Sequence, residues 1–261
     1  MLVRLSPHEV HIWMADVQQV PARMMESYLQ LMDQPERDRN TRYKTKDLRN
    51  LDCITRALLR STLSSYIAKD PADWVFNVGP FGKPAIVGSA PELFFNLSHT
   101  SRYVVCAVST LPGIGIDIEN SARQVQVLQL AKRFFSAQEY RDLSNLPEEE
   151  QRERFFDLWT LKESYIKARG EGISLGLDKF SFELQPDAKI RICCDKELGD
   201  TPEYWRFSLS QPSGDHRMAL AIKMGDKTTD LQLKQFITVP LQDTTGYSGF
   251  LSMSGSRNRT L

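Results

Sequence analysis

Residues 113–119 read Gly-Ile-Gly-Ile-Asp-Ile-Glu, a strict alternation that predicts a strand. Side chains two apart point the same way, so Ile114, Ile116 and Ile118 make one apolar face. Gly115, Asp117 and Glu119 make the other. Two carboxylates side by side on a rigid strand repel unless a cation lies between them. Oxygen-only ligands suit magnesium, which takes one or two carboxylates and leaves room for water and substrate phosphate. Gly115 beside them leaves the backbone open to close approach by a bulky group. An edge strand with solvated acids gives the same pattern, and for Asp117 and Glu119 alone it is the favoured reading. The second stretch is Trp159-Thr-Leu-Lys-Glu-Ser-Tyr-Ile-Lys167. Trp159, Glu163 and Lys167 are four apart and stack along one helical face. Phe155, Trp159 and Ile166 form an apolar stripe with Glu163 at its border, placed for metal ligation or proton abstraction. Lys167 keeps that carboxylate ionised or meets a phosphate. An ordinary surface Glu–Lys pair, worth roughly a few tenths of a kcal/mol, is the alternative.

Both stretches need elements to hold them. A strand is expected over residues 9–17 and a short helix over 22–32. Pro35 opens a long helix to about residue 67, with Leu48, Leu51, Thr55, Leu58, Thr62 and Tyr66 as its buried stripe. Arg49, Arg56 and Arg60 share a narrow face opposite that stripe. Residues 74–78, 94–97 and 103–109 read as strands, with a turn at Gly79-Pro-Phe-Gly-Lys-Pro84. Ser136-Ala-Gln-Glu139 is a capping box, and Pro147 with Glu148, Glu149 and Glu150 starts a helix that Gly170 stops. Strands at 180–184, 190–194, 205–209 and 218–223 follow. Phe95-Asn-Leu-Ser98 before Val104–Val108 is echoed by Phe207-Ser-Leu-Ser210 before Met218–Ile222. The echo suggests an α+β fold of two similar subdomains related by a pseudo-twofold, with a ligand cleft between them. The divisions are an N-terminal half, residues 1–112, a C-terminal half, 113–225, and a C-terminal extension, 226–261. In the extension, residues 231–241 can add a strand and 244–261 read as a flexible tail.

The two chemical stretches together resemble the Sfp-type 4′-phosphopantetheinyl transferases. Gly115-Ile-Asp-Ile-Glu119 matches the family's G-x-D-x-[acid] signature, and Trp159 to Lys167 matches W-[ST]-x-K-E-[AS]-x-x-K. Phe81-Gly-Lys-Pro84 and Phe95-Asn-Leu-Ser-His99 resemble its G-K-P turn and N-[IL]-S-H segment. The resemblance covers about residues 36–184. It implies transfer of 4′-phosphopantetheine from coenzyme A to a serine of an apo acyl or peptidyl carrier protein, releasing adenosine 3′,5′-bisphosphate. It assigns Asp117, Glu119 and Glu163 to magnesium, with Glu163 also the base. Lys167 and Lys162 fall to coenzyme A, Lys167 as the phosphate partner. His99, Ser98 and Lys83 also face its phosphates. Arg56, within Thr55-Arg-Ala-Leu-Leu-Arg60, is the candidate for the 3′-phosphate.

Composition sets the outer bounds. The 261 residues carry 33 basic and 33 acidic side chains, so no basic excess points to nucleic acid. The longest apolar run, Tyr103 to Val108, falls far short of the roughly 18 residues of a membrane span. Four cysteines without a C-x-x-C pair support neither zinc nor a disulfide framework. These features predict a cytoplasmic protein, and an internal pseudo-twofold predicts a monomer. Two other functions share the acids: a magnesium-dependent hydrolase cleaving a pyrophosphate with water, and a non-catalytic carrier-binding module.

Overall fold

A computed structural model describes residues 2–88, 93–184, 190–227, 231–242, 247–253 and 257–258. Within it the chain lays down a strand, a long helix and an antiparallel hairpin, and then does so again. The first round is β1 (Glu9–Asp16), α1 (Met24–Leu31), α2 (Gln34–Thr41), α3 (Lys46–Ser64), the small hairpin β2 (Phe76–Val78) and β3 (Pro84–Ile86), then β4 (Phe94–His99) and β5 (Tyr103–Ser109). The second is β6 (Ile114–Asn120), α4 (Val127–Phe134), α5 (Ala137–Ser144), α6 (Glu148–Arg169), the hairpin β7 (Phe180–Leu184) and β8 (Ile190–Cys194), then β9 (Trp205–Ser213) and β10 (His216–Lys223). In each round the last strand returns beside the first, giving β1-β5-β4 and β6-β10-β9, all antiparallel. The sequence echo falls on the two corresponding hairpins, and the α+β class with two similar halves is what forms. Three more strands follow: β11 (Leu231–Ile237), parallel to β1; β12 (Tyr247–Met253), antiparallel to β11; and β13 (Arg257–Asn258), beside β9.

Strand alternation sorts the core into layers. Trp13, Ala15, Val104, Cys106 and Val108 face α3, whose Leu51, Ile54, Leu58 and Leu59 cover them. The opposite faces of β1 and β5 meet Ile114, Ile116 and Ile118 of β6 and Met218, Leu220 and Ile222 of β10. The outer face of the second sheet, with Ala219, Ala221, Phe207 and Leu209, packs against Phe155, Leu161 and Tyr165 of α6. The order is therefore helix, sheet, sheet, helix. Burial of these apolar faces, worth roughly 1.5–3 kcal/mol for each large aliphatic or phenyl side chain and less for the alanines, holds the halves together.

Two expectations fail in detail. The stretch 244–261, expected as a flexible tail, contributes β12 to the first sheet and β13 to the second. The long helix opening at Pro35 is two helices. Thr45 is extended and its hydroxyl accepts the Leu48 N–H, so it caps a new helix at Lys46. That leaves Leu48 in a first turn at the surface, 45% exposed, while Leu51, Thr55, Leu58 and Thr62 are buried. The ends of α6 match their signals: Pro147 caps, three glutamates fill the first turn, and Gly170 adopts φ +70°.

Candidate active site

Gly115 is where the site begins. A Cβ there would lie 2.1 Å from the Ser164 carbonyl oxygen and 2.4 Å from the Ala168 amide nitrogen. The bulky group that approaches this glycine is thus the backbone of α6, not a ligand. Such contact between helix and strand puts Glu163 and Lys167 over the acid face of β6. Lys167 Nζ donates to Asp117 Oδ1 at 2.7 Å, Ser98 Oγ at 2.9 Å and the Ile116 carbonyl at 3.2 Å. Ser98 Oγ in turn donates to Asp117 Oδ1 at 2.9 Å. Glu119 Oε1 accepts from Trp159 Nε1 at 3.2 Å and from Arg123 at 3.4 Å. The Trp159 ring is fixed by stacking on Phe155 and by the edge of Phe134.

The electrostatics are unbalanced. Burial, with the charges of Asp117 and Glu119, pushes the Glu163 carboxyl up to about 7, although Lys167 opposes this. Burial and Asp117 likewise raise Glu119, against Arg123 and the Trp159 hydrogen bond. Asp117 Oδ2 is buried and has no hydrogen-bond partner among the described residues. A free carboxylate oxygen beside two acids that resist ionising is a donor set that suits a hard cation. Among the described residues, however, no group of three His, Cys, Asp or Glu side chains is gathered closely enough to hold an ion. The three acids feel one another's charge without converging on a point, and Lys167 supplies the cation next to Asp117.

Strand β4 connects this cluster to the first half. Asn96 Oδ1 accepts the Ile116 N–H at 2.8 Å and Ser98 Oγ accepts the Ile118 N–H at 3.2 Å, so side chains of one sheet edge pair with the backbone of the other. His99 turns to the opposite face, toward α3. Its pKa is lowered by burial first and then by Lys167 and Arg56, with Asp52 opposing. Arg56 is loosely held, 3.5 Å from Glu36 and 3.6 Å from Asp52, and its buried Nε makes no hydrogen bond among the described residues. Arg60 differs: it is fully buried, bonded to Glu36 at 2.7 Å and the Trp74 carbonyl at 2.6 Å. Arg49 donates to the Tyr43 carbonyl.

Two expected ligands stand elsewhere. Lys83 Nζ donates to the carbonyls of Ile114, Lys167 and Ala168 at 2.9, 2.8 and 3.3 Å. All three of its protons are spent on main-chain oxygens at the C-terminal end of α6 and the start of β6. Burial brings its pKa down to about 8. Lys162 is fully buried on the far side of α6, 2.7 Å from Glu139 and bonded to the Leu177 and Phe180 carbonyls. One helical step of about 100° separates it from Glu163, and that step carries it into the core. Asn96 and Arg123 receive no role from the sequence alone. Asn96 opens the N-[IL]-S-H segment without an assigned task, and Arg123 has no signal beyond being four after Glu119.

Comparison with known proteins bears on this geometry. Residues 113–221 match the family model of the 4′-phosphopantetheinyl transferase superfamily, and residues 19–111 match the 4′-phosphopantetheinyl transferase N-terminal model. The chain is 33% identical to the 4′-phosphopantetheinyl transferase Sfp of Bacillus subtilis strain 168 over 211 residues, covering 81% of this chain and 91% of that protein. It is 35% identical to the 4′-phosphopantetheinyl transferase HetI of a Nostoc species over 190 residues, 72% of this chain and 79% of HetI. A phosphopantetheinyl transferase of a Thraustochytrium species is 27% identical over 235 residues, 82% of this chain and 80% of that one.

Proposed function

Because this chain belongs to the 4′-phosphopantetheinyl transferase superfamily, we propose that it moves 4′-phosphopantetheine from coenzyme A to a serine hydroxyl of an apo acyl or peptidyl carrier protein. The observation that carries the reading is the Asp117–Lys167 ion pair beside Ser98, with Glu163 close enough to feel both charges, an arrangement made possible by the backbone contact at Gly115. In this reading the serine oxygen attacks the phosphorus on the pantetheine side of the pyrophosphate. The bond to the bridging oxygen breaks, and adenosine 3′,5′-bisphosphate leaves. Glu163, held near neutrality, takes the serine proton. Lys167 offsets negative charge on the phosphates. His99 and Arg56 receive the nucleotide end, Arg56 through the positive charge that its long contacts to Glu36 and Asp52 leave only loosely paired. Asp117, Glu119 and Glu163 would hold magnesium only after their carboxylates turn toward a common point, and the ion would then supply charge neutralisation at the pyrophosphate. Residues 1–112 then carry the nucleotide and 113–225 the acids, and the protein works as a monomer in the cytoplasm. No described helix is long and apolar enough to cross a membrane.

The test is direct. Apo carrier proteins of fatty-acid, polyketide and peptide-synthetase type are incubated with the protein, coenzyme A and magnesium, and weighed by mass spectrometry. Addition of one phosphopantetheine to at least one carrier is expected. Consumption of coenzyme A without an acceptor identifies a hydrolase instead, and no reaction with any carrier refutes the transferase.

A further inference from the structure

Strand β4 carries chemistry on one face and its attachment to the opposite half on the other. Phe95 and Leu97 pack under α3, and His99 follows them on that face. Asn96, Ser98 and Thr100, each two residues apart, turn the other way. Asn96 and Ser98 accept the amides of Ile116 and Ile118, the two that flank Asp117. Thr100 Oγ1 already accepts the N–H groups of Arg102 at 3.2 Å and Tyr103 at 3.1 Å. Its one proton is therefore free for His216 Nε2, 3.3 Å away at the start of β10. Nε2 is then the acceptor, and Nδ1–H donates to Ser213 Oγ at 2.9 Å. The ring is buried, edge-on to Tyr103 with centroids 4.8 Å apart. Burial and the nearby Arg102 favour the neutral form that this arrangement requires.

We propose that Asn96 and His216 are positioning residues that hold β4 in one register on the second half, and so set the span between the nucleotide face at His99 and the acids at Asp117 and Glu163. Neither touches the reacting atoms: Asn96 acts through the Ile116 amide, His216 through Thr100. The inference rests on the transferase reading, in which one coenzyme A molecule bridges both faces. A loosened register harms a reaction that needs both ends aligned, and spares binding of a fragment that needs only one.

The experiment compares wild type with Asn96→Leu, His216→Phe, His216→Gln and Thr100→Val, each checked for folding by circular dichroism. Single-turnover transfer to a carrier is measured at saturating coenzyme A, and the Kd of adenosine 3′,5′-bisphosphate by calorimetry. Asn96→Leu and His216→Phe are each expected to slow transfer about tenfold, the scale of one lost hydrogen bond, with the nucleotide Kd within about twofold of wild type. His216→Gln returns an acceptor to Thr100 and recovers most of the rate. Thr100→Val also strips the acceptor from the Arg102 and Tyr103 amides, so it is at least as slow as His216→Phe, and adding His216→Phe to it slows transfer no further. An unchanged rate in folded His216→Phe or Thr100→Val overturns the proposal. So does a parallel fall of rate, nucleotide affinity and melting temperature that Gln does not rescue. If His216→Phe or Asn96→Leu fails to fold, Thr100→Val and His216→Gln decide. A wild type that binds the nucleotide yet transfers nothing overturns the functional reading, and this inference with it.

Discussion

Glu163 gives the sharpest check on the electrostatics, because its burden can be read without any substrate. In metal-free protein its carboxyl is raised from an ordinary 4.5 to about 7, by burial and then by Asp117 and Glu119. The sign follows from proton counting. Below pH 4.5 folded and unfolded chains both hold the proton, so stability is unaffected. Between 4.5 and 7 the folded chain keeps a proton that the unfolded chain has lost, and stability falls as pH rises. Above 7 both are ionised and the full cost remains. That cost is up to about 3 kcal/mol at pH 8 and under about 1 kcal/mol at pH 5, at roughly 1.4 kcal/mol per tenfold change in proton affinity. Glu163→Gln removes the charge and keeps the shape. Urea denaturation in a chelator should show the variant more stable than wild type by that amount at pH 8, with the gap nearly closed at pH 5. Magnesium should then stabilise wild type at pH 8 and leave the variant nearly unmoved. An equal gap at both pH values, or no gap at pH 8, refutes the argument that the three acids burden one another.

Three further substitutions separate scaffold from site. Gly115→Ala places a methyl inside the van der Waals radius of the Ser164 carbonyl oxygen, and about 3 kcal/mol or more should be lost in urea melts; unchanged stability would mean that helix and strand are not in contact there. Lys162→Met leaves Glu139 buried without its cation, so about 3 kcal/mol of stability should go while coenzyme A affinity, by calorimetry on folded protein, moves less than about twofold; lost affinity at full stability would restore Lys162 as a ligand. Arg56→Ala should weaken coenzyme A about tenfold and leave dephospho-coenzyme A, which lacks the 3′-phosphate, within about twofold. Equal losses for both would place Arg56 elsewhere on the nucleotide.

Local signals read well wherever the physics is local. The capping box at Ser136, the glutamates after Pro147 and the left-handed Gly170 each satisfy backbone groups within a turn, and spacing alone exposes them. The isoleucine face of β6 is core for the same reason, since its period of two needs no partner to be recognised. What stays hidden is whatever a distant segment decides. Gly115 looks like room for a ligand until α6 lies on it, and Lys83 looks like an anion ligand until three carbonyls from 31 to 85 residues away surround it. Lys162 and Glu163 make the point most plainly. They are neighbours in one contiguous signature, yet a single helical step sends the lysine into the core against Glu139 and leaves the acid over β6. A motif of this kind therefore mixes two constraints, one from chemistry and one from packing. The packing member is not open to a simple apolar swap either, because Glu139 also accepts the Ser136 and Phe182 amides and Lys162 holds the Leu177 and Phe180 carbonyls, groups that a Met–Leu pair would leave buried and unpaired.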